Sequence, residues 1–140
     1  MNLGWSPVTD SLTIMHRSRL AGILIDTPTA QVGAAVDFWS AALGAPPRPV
    51  RGEEQFTILS GAVPGLFTVI QSVGDTPHYH LDIETDDLAA EVARLTAIGA
   101  EPVSRWQDAH TLRAPGSHLL CVVPVHSDPE TFARSAHTWP

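Results

Sequence analysis

The chain has 140 residues, 44% hydrophobic and 16% charged, which excludes a disordered polymer and suits one domain, or two small modules sharing a core. Its net charge is -7, from 8 basic and 15 acidic residues, so it lacks the basic face that nucleic acids and anionic membranes attract. The single cysteine, Cys121, excludes an internal disulfide framework and a four-cysteine zinc cluster, and no apolar run is long enough for a membrane span.

Residues 1–18 carry no basic region followed by an apolar stretch and a small-residue cleavage site, so no secretory signal is expected and a cytoplasmic location is the default. Met15 is an alternative start, with Met1 to Ile14 as an upstream extension. Trp5, Leu12 and Ile14 instead suit an added strand, and both readings stay open. All 8 basic residues are arginine, which removes lysine Schiff-base chemistry.

From residue 20 the pattern becomes regular. Residues 20–27 predict a strand, and 30–43 predict a helix with Val32, Val36, Trp39 and Leu43 at helical spacing. Strands follow near 47–51, 54–60 and 65–72. Residues 78–85 predict a strand again, then 87–98 a helix carrying Leu88, Val92, Leu95 and Ile98. Strands near 102–106, 109–113 and 118–124 complete the series. Asp86 or Asp87 suits the second helix as N-cap, and Gly44 and Gly99 stand where left-handed caps are wanted. Residues 126–140 read as a polar tail.

The two halves repeat in order. Ile25 and Thr27 match Ile83 and Thr85, Leu43-Gly44-Ala45 matches Ile98-Gly99-Ala100, and Leu66 to Val69 matches Leu119 to Val122. Each half is therefore β-α-β-β-β, with modules at about 19–74 and 78–125 inside a domain spanning 19–125. Residues 1–18 stand as an N-terminal extension. Strand alternation sets Leu81 and Ile83 under the second helix and His78, His80, Asp82 and Glu84 on the other face. In the first module it sets Ile23 and Ile25 under the helix, with Gly22, Leu24 and Asp26 opposite.

This tandem pattern resembles the vicinal oxygen chelate superfamily, which includes glyoxalase I, bleomycin-resistance proteins and extradiol dioxygenases. The resemblance rests on the stretch His80 to Leu95, the following Ile98-Gly99-Ala100, the ending Ala114-Pro115-Gly116-Ser117-His118, and Phe38-Trp39 ahead of Leu43-Gly44. Ala114 and His118 depart from the Asp and Asn usual at those places. The resemblance implies an α+β fold, with a curved mixed sheet, helices on its convex side and a ligand cleft on its concave side. It also implies a homodimer. Its four metal positions fall on Gly22, Thr68, His80 and Cys121, of which only His80 is the usual type. Glycine cannot ligate, threonine is a poor ligand, and two side chains rarely hold an ion that needs three or four. No metal or other cofactor is therefore expected; the alternative keeps a divalent zinc, nickel, manganese or iron on His80 and Cys121 with His78 or Asp82.

Beyond His80, the best catalytic candidate, the candidate ligand-binding residues are His78, Asp82, Trp106, His110, Arg113 and Cys121. Two imidazoles on one strand face can bind metal or move protons. Trp106 can wall a pocket, and Arg113 can hold a carboxylate. Asp82 and Glu84 suit an acid/base pair, against the simpler reading of solvated surface carboxylates. Cys121 reads as a buried thiol. The leading expectation is a glyoxalase-like protein that binds a small organic molecule, with no nucleic-acid or membrane partner. The alternatives are a metal-dependent lyase, isomerase or dioxygenase, and a degenerate dimeric interaction module.

Overall fold

A computed structural model describes residues 15–74 and 76–140. The readings of Trp5, Leu12 and Ile14 lie outside the described residues. The elements, in order, are β1 (His16–Pro28), a 3-10 turn (Thr29–Gln31), α1 (Val32–Leu43), β2 (Pro47–Pro49), β3 (Phe56–Leu59), β4 (Phe67–Val73), β5 (His78–Thr85), α2 (Leu88–Ala97), β6 (Glu101–Trp106), β7 (Ala109–Arg113), β8 (Leu119–Pro124), α3 (Pro129–Ser135) and β9 (His137–Trp139). Up to β8 this is β-α-β-β-β twice. The class is α+β with a mixed sheet: β1 pairs parallel with β4, and β3 pairs antiparallel with β4. Among the described residues no helix is long and apolar enough to cross a membrane.

The chain divides into two compact units, and β1 and β5 each contribute to both. The first unit holds Leu20–Asp82 and His118–Leu120. Its strands run in the order β2-β3-β4-β1-β5. Ile25, Ala45, Leu59 and Ile70 form its core, with Val36 and Trp39 of α1 packed against them. That is the packing the helical spacing predicts for Val36 and Trp39, whereas Leu43, expected on the same face, is 43% exposed at the helix end. Burying each large apolar side chain is worth about 1.5–3 kcal/mol. Gly44 ends α1 in the left-handed conformation at φ 63°, its N–H donating to the Ser40 carbonyl.

The second unit holds β1 through Arg19, Ile83–Ser117 and Cys121–Pro140. Its apolar core includes Leu95, Leu112, Val122, Val123 and Phe132. Asp87 is the N-cap of α2, accepting from the Ala90 N–H, while Asp86 instead accepts from the Arg17 backbone and guanidinium.

Further expectations are corrected. β1 starts at His16, because its first residues are buried polar groups that hide the strand from a hydropathy reading. Leu81 is 44% exposed rather than packed under α2, and Ile98 is exposed too. Glu84 is no solvated carboxylate: it is fully buried, pairs with Arg19, and accepts from the Ser127 hydroxyl and the backbone N–H groups of His126 and Ser127. The polar tail is structured: Asp128 caps α3 by accepting from the Thr131 N–H, Phe132 is buried, and β9 pairs antiparallel with the start of β1.

Candidate functional site

In the first unit, β5 alternation puts His78, His80 and Asp82 on one face. Strand β1 is the neighbour of β5 and supplies Asp26, which is only 3% exposed. One oxygen of Asp26, Oδ2, lies 2.6 Å from His80 Nδ1 and 2.8 Å from His78 Nε2. The other, Oδ1, is buried without a hydrogen-bond partner. The remaining imidazole nitrogens are also directed. His78 Nδ1 donates to the Thr76 carbonyl at 3.0 Å, and His80 Nε2 lies 3.4 Å from Asp82 Oδ1. That contact is an ion-pair distance without hydrogen-bond geometry, so Asp82 Oδ1 is likewise buried without a hydrogen-bond partner.

Burying a carboxylate costs several kcal/mol unless it is paired and fully hydrogen bonded. Asp26 is paired on one oxygen and bare on the other, so the row is polar beyond what the fold needs. The sequence places Asp26 on the face away from the helix without marking it as a site residue. Its signal was its place at an alternate position of β1, on the face where β5 carries its histidines.

The other sequence candidates belong to the second unit. Trp106, on β6, is largely exposed. His110 is half-buried on β7 and stands opposite Arg105. The Arg113 guanidinium donates to the Ser117 carbonyl at 3.5 Å. Cys121 is half-buried, with its sulfur 3.4 Å from the Thr111 hydroxyl.

The metal ligand set implied by the resemblance does not fit these residues. Gly22 has no side chain, and a Cβ there would come 3.2 Å from the Phe67 carbonyl oxygen and 3.4 Å from the Phe67 Cβ. The β1 position therefore has no room for a longer ligand without movement of β4. Thr68 is buried, with its hydroxyl unpartnered.

The second unit carries its own polar network. The Glu91 carboxylate takes hydrogen bonds from His16 Nε2 at 2.7 Å and from Arg94 Nε and a terminal Arg94 nitrogen at 2.8 Å each. Arg94 stacks 3.7 Å from the centroid of the Trp139 ring, whose indole N–H donates to Ser18. Burial raises the Glu84 carboxyl, but its hydrogen bonds to Ser127 and His126 and the charge of Arg19 outweigh this and leave it lowered. These groups brace the fold.

A family model described as a glyoxalase-like domain matches residues 22–123. No curated protein sequence matches the chain. Among solved structures, methylmalonyl-CoA epimerase from Streptomyces coelicolor, in complex with 2-nitronate-propionyl-CoA, aligns with a TM-score of 0.55 at 17% identity over 78% of this chain and 98% of that one. A xylose isomerase-like TIM barrel/4-hydroxyphenylpyruvate dioxygenase fusion protein aligns at 0.53 and 18% identity over 87% of this chain, which spans 22% of the fusion protein. A putative dioxygenase from Bacillus subtilis aligns at 0.51 and 12% identity, over 78% of this chain and 42% of that one. At these identities the likeness is one of fold.

Proposed function

This chain belongs to the glyoxalase-like domain family, and on that premise we propose that it binds a small organic molecule on the Asp26, His78, His80 and Asp82 row of its first unit. The observation that carries this reading is a buried carboxylate, Asp26, holding two imidazoles at 2.6 and 2.8 Å while its second oxygen has no partner. One fold hosts many activities, so the function must be argued from such a site. The row offers unpartnered acceptor oxygens on Asp26 and Asp82, which suits a ligand with hydroxyl or amine donors. Asp26 fixes the rings and so lowers the ordering cost of binding. A lyase, isomerase or dioxygenase is the second reading. It is favoured by the pairing of imidazole and carboxylate on one face, and by the epimerase and dioxygenase named among the structural neighbours.

A thermal-shift screen of hydroxyl- and amine-bearing fragments tests the proposal. A fragment present at about 100 times its Kd adds about 2.7 kcal/mol of stability. The shift is expected in the wild type and is lost in His80→Ala and Asp82→Ala. A screen without shifts, or shifts that persist in both variants, overturns it.

A further inference from the structure

We propose that Asp26, His78 and His80 form a divalent transition-metal site, distinct from the ligand positions implied by the family resemblance and sharing only His80 with them. One oxygen of Asp26 and one ring nitrogen from each histidine lie within 4.8 Å of one another. Two imidazoles and one carboxylate are a donor set for zinc or ferrous iron, leaving coordination positions open to water or an organic ligand. Hard cations such as magnesium and calcium prefer all-oxygen sets, so they are poor occupants.

Two further observations point to a cation. Asp26 is buried, and its Oδ1 has no hydrogen-bond partner. It is an acceptor that the fold leaves unused in the same cluster. In addition, the second ring nitrogen of each imidazole lies against an oxygen, by a hydrogen bond in His78 and at ion-pair distance in His80. His78 Nδ1 donates to the Thr76 carbonyl, which turns Nε2 toward Asp26. His80 Nε2 faces the Asp82 carboxylate, which turns Nδ1 toward Asp26. A metal-ligating histidine usually has its other ring nitrogen hydrogen bonded to a carbonyl or carboxylate, as His78 has, and the Asp82 carboxylate stands on the corresponding side of His80. Both supports stand within two residues of their histidine on the chain, so β5 and the residues just before it orient the two rings, and β1 adds the carboxylate.

The site extends the binding row proposed above but is tested without any organic ligand. The full chain, stripped with chelator and dialysed, is titrated with Zn2+ by calorimetry and checked by elemental mass spectrometry. The proposal expects one equivalent of zinc, with affinity lowered at least about tenfold in His78→Ala and in Asp26→Asn. Cys121→Ser keeps the wild-type affinity, and Mg2+ does not compete. His78 is on the exposed end of the row, so His78→Ala keeps the result readable if Asp26→Asn fails to fold; circular dichroism separates the two cases. Absence of zinc binding in the folded wild type overturns the metal site while leaving the fragment screen to decide the binding row. Zinc binding that survives His78→Ala and is lost in Cys121→Ser also overturns it.

Discussion

Glu91 has no exposure to solvent and yet stays charged. Burial raises its carboxyl, but hydrogen bonds from Arg94, His16 and Ser18 and the charge of Arg94 outweigh burial and bring it from 4.5 to about 2. A value depressed in the folded state means stability that is present above about pH 4.5 and lost as the pH falls toward 2. Replacing Glu91 with Gln leaves the buried His16 and the half-buried Arg94 without their anion, which costs about 3 kcal/mol at neutral pH. Urea unfolding from pH 7 to 2 checks this. The variant is expected to be weaker at pH 7 and to lose less stability than the wild type below pH 4.5. Equal stability at pH 7 would show that the network contributes nothing net. Neither Glu91 nor Glu84 was legible as buried, because hydropathy scores a carboxylate the same whether or not cations wait for it. His78, His80 and Asp82 were legible, since alternation on one strand needs only local sequence. Their partner Asp26 lies far along the chain, and only the β1–β5 pairing joins them.

At the scale of elements, the turns and caps were the clearest part of the sequence. β5 and β7 fall within their expected bounds, and both helices lie inside theirs to within two residues. The missed helix, α3, had a signal in Asp128-Pro129-Glu130: an N-cap, proline at the first helical position and an acid in the first turn. Its few residues gave no period to read. Gly44 caps α1, while α2 is capped by Ile98 with Gly99 just beyond it, and the two glycines differ in a testable way. A Cβ on Gly44, at φ 63°, meets nothing within 4 Å, so Gly44→Ala bears only the left-handed backbone cost of about 1–2 kcal/mol. A Cβ on Gly99, at φ 122°, comes 3.1 Å from Pro115 Cγ. Gly99→Ala is therefore expected to lower the melting temperature more than Gly44→Ala. The reverse order would mean that Pro115 yields freely.

Across the molecule, the tandem order of elements and the family were legible because a repeat reinforces every weak local signal. The division of labour was not. Each unit sets acids against bases on β1 and β5 side chains, Asp26 with His78 and His80 in the first and Arg19 with Glu84 in the second. In the second unit the Glu84 oxygens are consumed by Arg19, Ser127 and His126. In the first unit Asp26 and Asp82 each keep a buried oxygen without a hydrogen-bond partner. His16 Nδ1 of the second unit is also buried without a partner, so the contrast is one of carboxylates: those of the second unit's network, Glu84 and Glu91, are filled by donors, while Asp26 and Asp82 are not, and this is the basis for placing the binding row in the first unit. The most direct test is heteronuclear NMR on the labelled full chain, titrated with the fragment that gives the largest thermal shift. The account predicts that the resonances of Asp26, His78, His80 and Asp82 move most. Largest changes at Trp106, His110 and Arg113, with that row unmoved, would contradict it.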